Sequence, residues 1–326
     1  MALEPKHSNA SSVLIVTEAY NLAEGQSETA FLRAVSEIEL LAASHPNVRI
    51  AVVDPTVEGI ASPLLSKTFP DIEVWHLPSQ TYDGQKNFIG RSAQSELIVF
   101  LDGDCRPFQT SWLKAIVSPF ADPFVSAVGG LTLYDDFSLT GIAMSVIDWG
   151  YLFGPAGHSL GCYASNNVAF RREALLETPI PHDAEMRCLC YKHSQLLERK
   201  SKPVILQPSA LVLHELPDVE KERLRRGYDH VAALWADPQL EETSWLWDPK
   251  SAGPRLLFRN WDLALERLRK APSLLNVSRI GYKNVADEIS RLMKLDVLGI
   301  AKAIEFGESN GLNAKAFASN QVLCVQ

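Results

Sequence analysis

The sequence predicts an α/β fold, a doubly wound and mainly parallel sheet with helices on both faces, and three observations carry that prediction. Short apolar runs alternate with segments of helical periodicity over the first two thirds of the chain, the pattern of β-α units that build a parallel sheet. The run Leu97–Leu101 is continuously apolar, as suits a strand covered on both faces. Several strands end on acids or polar loops, the edge at which open α/β sheets bind ligands.

In order along the chain, Val13–Thr17 is a buried strand whose polar continuation, Glu18 to Asn21, forms a ligand-facing loop. Ser27 then caps a helix with Phe31, Val35, Ile38 and Leu41 at helical spacing, ended by His45-Pro46. Arg49–Asp54 is a second strand and Ile72–Leu77 a third, whose alternation places it nearer an edge. Tyr82–Ala93 is helical and carries Lys86 and Arg91; the strand Leu97–Leu101 follows. Trp112, Ile116 and Val117 mark a helix, Val125–Val128 a strand, and Leu139–Phe153 an apolar helix too short to cross a bilayer. Gly161–Arg172 is a loop entering a strand and a short helix, and Asp183 to about Lys200 is a helix. Pro203–His214 is extended, Asp218–Trp235 amphipathic and basic, and helices recur at Leu256–Leu268 and Asn284–Phe306. These pieces divide the chain into 1–235 and a mainly helical C-terminal extension, 236–326.

A hydrophobic content of 46% supplies an ample core. With 31 basic against 39 acidic residues the formal charge is −8, without the positive field of a nucleic-acid binder. No basic start with an apolar run opens the chain and no stretch reaches 18 apolar residues, so a cytoplasmic, non-spanning protein with its five cysteines reduced is expected. Cys188 and Cys190 are two apart on a helix and point to opposite sides, which argues against a shared zinc ion.

The candidate chemistry centres on Asp102-Gly103-Asp104 at the end of the apolar strand. Two carboxylates there, with Gly103 letting the backbone turn, form a hard-oxygen site for Mg2+ or Mn2+, ions that share their shell with substrate phosphates. The same triplet also occurs in turns where carboxylates cap backbone N–H groups. Asp183 is at once a helix N-cap and a candidate base. His214 reads as a structural residue or a ligand, and the basic residues at 221–226 as a solvated face or an anion site.

The order of these pieces resembles the family 2 glycosyltransferases of the GT-A fold, which move a sugar from a nucleotide diphospho-sugar with inversion. The resemblance rests on Lys86-Asn87 with Gly90, on Asp102-Gly103-Asp104 followed by Pro107, and on Gly161 to Arg172 with its Asn166-Asn167 pair. His182-Asp183-Ala184-Glu185 and His214 ahead of Arg225-Arg226 complete it. The chain departs from the family at Leu22 after Asn21, at Asp54-Pro-Thr-Val-Glu58, and at His182 in place of an acid.

The resemblance implies a GT-A (Rossmann-like) mixed, mainly parallel sheet, with a nucleotide-sugar half at about 12–107 and an acceptor half at about 108–235. It implies a UDP-, GDP- or dTDP-sugar held by Thr17, Glu18, Tyr20, Asp54, Lys86, Asn87, Arg91, Asp102, Gly103, Asn166, Asn167, Arg225 and Arg226. Mn2+ or Mg2+ falls to Asp102, Asp104 and His214, the imidazole favouring Mn2+, and Asp183 is the expected general base. The acceptor is a hydroxyl on a saccharide, a lipid-linked carrier or a small molecule, and the basic helix suits peripheral contact with an anionic inner membrane face. A nucleotidyltransferase of related fold and a non-catalytic nucleotide-sugar-binding or scaffold protein are the alternatives.

Overall fold

The strand β1 (Val13–Glu18) is buried along its whole length and sits inside the sheet, between β2 (Val48–Asp54) and β4 (Leu97–Leu101), parallel to both. The computed structural model describes residues 12–19, 22, 28–45, 47–78, 80–181, 189–226 and 254–309. Between these strands run helices α1 (Glu28–Ala43), α2 (Ala61–Leu65) and α3 (Tyr82–Ser92), with the short edge strand β3 (Glu73–His76) after α2. The apolar stripe of α1, Phe31, Val35, Ile38 and Leu41, is fully covered, as its spacing requires.

The second half makes the sheet mixed. After β5 (Cys105–Pro107) and α4 (Trp112–Val117) come β6 (Ala127–Tyr134), α5 (Leu139–Trp149), β7 (Ser159–Leu160), β8 (Asn167–Arg171), α6 (Arg172–Glu177), α7 (Leu189–Arg199) and β9 (Val204–His214). The strand order is β3-β2-β1-β4-β8-β6-β9-β5, with β7 pairing β9. Residues 219–226 form helix α8, and α9 (Pro254–Arg269), α10 (Val277–Ile280) and α11 (Tyr282–Ser309) follow.

Register decides which residues meet. Val16 pairs with Phe100, so Thr17 and Glu18 extend to the level of Leu101 and Asp102. β8 runs antiparallel to β4 with Asn167 opposite Leu101. Cys105 lies opposite His214, and Tyr134 is also paired with His214. One end of the sheet therefore collects residues from six strands.

The strand expected at Val125–Val128 starts at Ala127 and continues to Tyr134. Gly129 and Gly130 disguise it in the sequence, and the structure shows why no side chain stands at 130: a Cβ there would lie 2.2 Å from Asn167 Nδ2 and 2.3 Å from Ala210 O. The space is filled by the Asn167 amide, whose Nδ2 donates to Leu131 O (3.0 Å) and Ala210 O (2.8 Å) and whose Oδ1 accepts from Trp112 Nε1 (3.1 Å). The short strands β5 and β7 and the single-turn α2 have no periodic signal long enough to read.

The C-terminal helices pack onto the sheet layer through α5. Ile289, Leu292 and Met293 of α11 share one core with Ile142, Met144 and Val146 of α5, and Arg267 of α9 donates to Ile147 O at 2.9 Å. No described helix is long and apolar enough to cross a membrane.

Asn167→Ala strands three buried groups at once, Trp112 Nε1 and the carbonyls of Leu131 and Ala210, each worth about 1–3 kcal/mol when left unsatisfied. Urea unfolding of this variant is expected to show an unfolding free energy lowered by about 3 kcal/mol or more, read as a lower midpoint at unchanged slope.

Candidate active site

Asp102 leaves the end of β4 into a ring of polar groups. The Tyr82 hydroxyl, on the first turn of α3, lies 2.9 Å from both Asp102 oxygens and 3.0 Å from Ser165 Oγ. One turn further along α3, Lys86 Nζ stands 3.6 Å from Asp102 Oδ1 and 3.7 Å above the Tyr82 ring, with only 5% of its side chain exposed. Asp102 N donates to Asn166 O (3.3 Å), and Asn166 Oδ1 accepts from Thr132 Oγ1 (3.0 Å). Gly103 presses against β1: a Cβ there would sit 2.2 Å from Glu18 O. This close approach is why the residue between the two acids has no side chain.

Asp104 turns toward β9. Its Oδ2 is 3.3 Å from His214 Nε2, and the Cys105 thiol donates to its Oδ1 at 3.6 Å. Among the described residues Asp104, Cys105 and His214 group donor atoms within 4.8 Å of one another, a set suited to a metal ion; Asp102, engaged by Tyr82 and Lys86, stands outside it. His214 Nδ1 is 2.7 Å from Glu215 O. That hydrogen bond puts a proton on Nδ1 and aims Nε2 at Asp104, making Nε2 the nitrogen that would ligate a metal. A carboxylate beside an oriented imidazole fits Mn2+ better than Mg2+.

Electrostatically the site is short of positive charge. Glu18 is 8% exposed, and burial, then the Asp102 charge, push its carboxyl well above the usual range. Asp104 is raised by burial and Asp102, against the opposing pull of His214. Burial alone would lower the Lys86 ammonium, but Asp102 and Glu18 outweigh it and raise its pKa. Glu18 and Asp102 thus share one buried ammonium while Asp104 adds to the charge on Glu18, and a divalent cation would offset the repulsion. Beside them is a small cavity lined by Thr17, Glu18, Gln85, Lys86 and Asp102. Of its lining residues, Thr17 and Gln85 each have a buried side-chain oxygen without a hydrogen-bond partner in the protein, an arrangement that a bound polar ligand would satisfy.

Other sequence candidates have different surroundings. Asp54 is fully buried and accepts from Thr56 N, Thr56 Oγ1 and Ala61 N, organising the loop into α2. Asn87 clamps Ile180, donating to its carbonyl (2.8 Å) and accepting from its N–H (2.9 Å). Arg91 is exposed at the far end of α3, away from Asp102. Asn167 holds the sheet as described above. Arg225 and Arg226 bind Glu222 on their own helix, at 2.8 and 2.7 Å. Tyr20 and Asp183 lie outside the described residues. Sequence reasoning passed over Tyr82, although its place four residues before Lys86 puts both on one helix face. It also passed over Gln85 and Ser165, which carried no pattern of their own.

No family model matches the chain, and no curated protein matches it by sequence. Among solved structures the fold is similar to that of the mannosyltransferase PcManGT from Pyrobaculum calidifontis, in complex with GDP-Man and Mn2+. The two share 16% identity over 91% of this chain and 88% of that one, with a TM-score of 0.58. GalNAc-T7 with UDP, GalNAc and Mn2+ overlaps less, at 12% identity, 71% and 52% coverage and a TM-score of 0.49. The mixed α/β sheet with its helical C-terminal region is a GT-A fold.

Two buried groups outside the site, His193 and Asp296, make stability depend on pH. His193 of α7 is fully buried, with Nε2 2.7 Å from Thr178 O and Nδ1 2.8 Å from the Tyr163 hydroxyl. Burial lowers its pKa from 6.5 to about 4. Between those values the unfolded chain holds a proton that the folded chain lacks, so stability present above pH 6.5 declines as pH falls toward 4, by about 3 kcal/mol. Asp296 of α11, raised to about 7 mainly by burial, has the opposite slope over much of that range. Comparing wild type with His193→Gln isolates the histidine: the variant is expected to lack the extra acid-side loss in unfolding free energy measured from pH 7 to 4.

Proposed function

We propose that the protein is a metal-assisted glycosyltransferase that moves a hexosyl group from a nucleotide diphospho-sugar to an acceptor hydroxyl with inversion, as a member of the family 2 group. The observation that carries this reading is the juxtaposition of Asp104 and His214, a donor pair for a metal, with the charge-deficient cluster of Glu18, Asp102 and Lys86. Both sit at the ligand-binding edge of a GT-A sheet. The shared fold with a Mn2+-bound mannosyltransferase supports it.

In this reading Asp104 and His214 hold the ion, Mn2+ in preference to Mg2+, which when bound supplies charge neutralisation for the departing diphosphate. Lys86 contributes a buried, fixed positive charge beside it, and Tyr82, whose burial keeps it a phenol, holds Asp102 in place. Thr17 and Gln85 offer unpaired oxygens to the nucleotide. Arg225 and Arg226 reach the diphosphate only by giving up Glu222. Asp183 takes the proton from the acceptor hydroxyl, and displacement from the face opposite the diphosphate inverts the anomeric carbon. The donor is a UDP-, GDP- or dTDP-sugar. The acceptor is a saccharide, a small molecule or a lipid-linked carrier, the last reached from the cytoplasmic face of a membrane through the basic helix.

A thermal-shift screen of UDP-, GDP- and dTDP-sugars with and without Mn2+ identifies the donor, since a ligand at a hundred times its Kd stabilises the native state by about 2.7 kcal/mol. With that donor, Asp104→Ala is expected to abolish the Mn2+-dependent part of the shift. Asp183→Ala is expected to keep the shift and to slow transfer by about a hundredfold or more. Transfer at the wild-type rate in both variants would sink the proposal.

A further inference from the structure

A chain of contacts runs from His214 away from the site and into the C-terminal helices. The His214 ring is flanked by two aromatic rings, Tyr134 edge-on at 5.5 Å between centroids and Trp149 tilted at 5.8 Å. The Tyr134 hydroxyl donates to Asp148 Oδ2 at 2.8 Å. Asp148 immediately precedes Trp149 on α5, so one turn of that helix carries both a flanking ring and the acceptor that fixes the other. Asp148 Oδ1 in turn takes Arg223 Nη2 at 2.5 Å. Arg223 has 1% of its side chain exposed, and its Nε faces Asp296 Oδ1 of α11 at 3.5 Å. Around this ion pair α8 and α11 are in backbone contact: a Cβ on Gly299 would lie 2.4 Å from Leu224 O.

A buried guanidinium needs its counter-charges, because removing it leaves two desolvated carboxylates and removing them leaves a desolvated cation. Arg223 therefore holds Asp148 by a direct hydrogen bond and faces Asp296 as a charge partner at 3.5 Å, without a hydrogen bond between them. The locked Asp148 fixes the rotation of Tyr134, and Tyr134 with Trp149 leaves the His214 ring one plane in which Nε2 meets Asp104. The Nδ1 contact to Glu215 O sets the tautomer, while the aromatic pair sets the orientation. Groups behind a metal-binding imidazole commonly govern its affinity in this way.

We propose that Arg223 is a positioning residue for the metal centre, holding the plane of His214 through Asp148 and Tyr134 and making α11 part of that centre through Asp296. The proposal rests on the reading of Asp104 and His214 as metal ligands.

It is tested by titrating Mn2+ into the full chain and following free Mn2+ by electron paramagnetic resonance, with melting temperature recorded alongside. Tyr134→Phe keeps the ring and deletes only the hydroxyl; Asp296→Asn keeps the shape and deletes the charge. Ile289→Val, a core change on α11 remote from the ion pair, controls for lost stability. Expected is a weakening of Mn2+ binding by about tenfold in Tyr134→Phe and Asp296→Asn, with Ile289→Val binding as wild type does. If wild type binds Mn2+ and the first two variants bind it equally well, the positioning role is overturned and the metal site stands. An equal weakening in Ile289→Val overturns it too, since affinity would then follow stability. A wild type that takes up no Mn2+ removes the metal reading itself and the proposal with it.

Discussion

The crowding of Glu18 and Asp102 on the buried Lys86 ammonium, with Asp104 near enough to act on both acids, is the interaction on which the rest of the site depends. Each acid arrives at the end of β1 or β4 because parallel register brings those strand ends level. Burial then makes their mutual repulsion expensive in a way that an exposed acidic cluster would not be. Much of the surrounding architecture limits that cost. Tyr82 donates to Asp102, Lys86 lies over the Tyr82 ring, the Cys105 thiol donates to Asp104, and Gly103 brings the turn down onto β1. The repulsion that remains among these acids is what a divalent cation would offset.

The fold was legible because its long elements obey simple periods. β1, β4, α1 and α3 are uniform enough that periodicity and punctuation place them within a few residues, and the alternation of Ile72–Leu77 correctly suggested an edge. What escaped was set by tertiary contacts. β6 carries two glycines that read as a loop until the Asn167 side chain is seen filling their space. β5 has three residues and exists only because β9 offers it a partner.

The site was legible in part, and for the same reason. Asp102, Asp104 and His214 stand where an apolar run stops, so each announces itself. Asn87, Asp54 and Asn167 looked similar in the sequence, as polar residues near strand ends. Their hydrogen-bonding capacity is used on backbone groups that only the folded chain brings near: Ile180 for Asn87, the loop into α2 for Asp54, and Leu131 and Ala210 for Asn167. A buried amide or carboxylate next to a cleft has two possible customers, ligand and backbone, and sequence pattern does not distinguish them. The residues that complete the cluster, Tyr82, Ser165 and Gln85, belong to types too common to stand out.

Helix α3 is fastened at more than one point to the half of the chain that follows it. Asn87 grips Ile180, Arg172 donates to the carbonyls of Gly90 and Arg91, and Leu175 lies where a Cβ on Gly90 would have to go. Since Lys86 rides on this helix, its ammonium is tied to the same frame as β8 and the residues leading up to 181. The two halves of the sheet therefore have no hinge along α3. Lys86 and the carboxyls beside it are thereby braced from both sides of the sheet, so the charged floor of the cleft is as rigid as the strands that carry it.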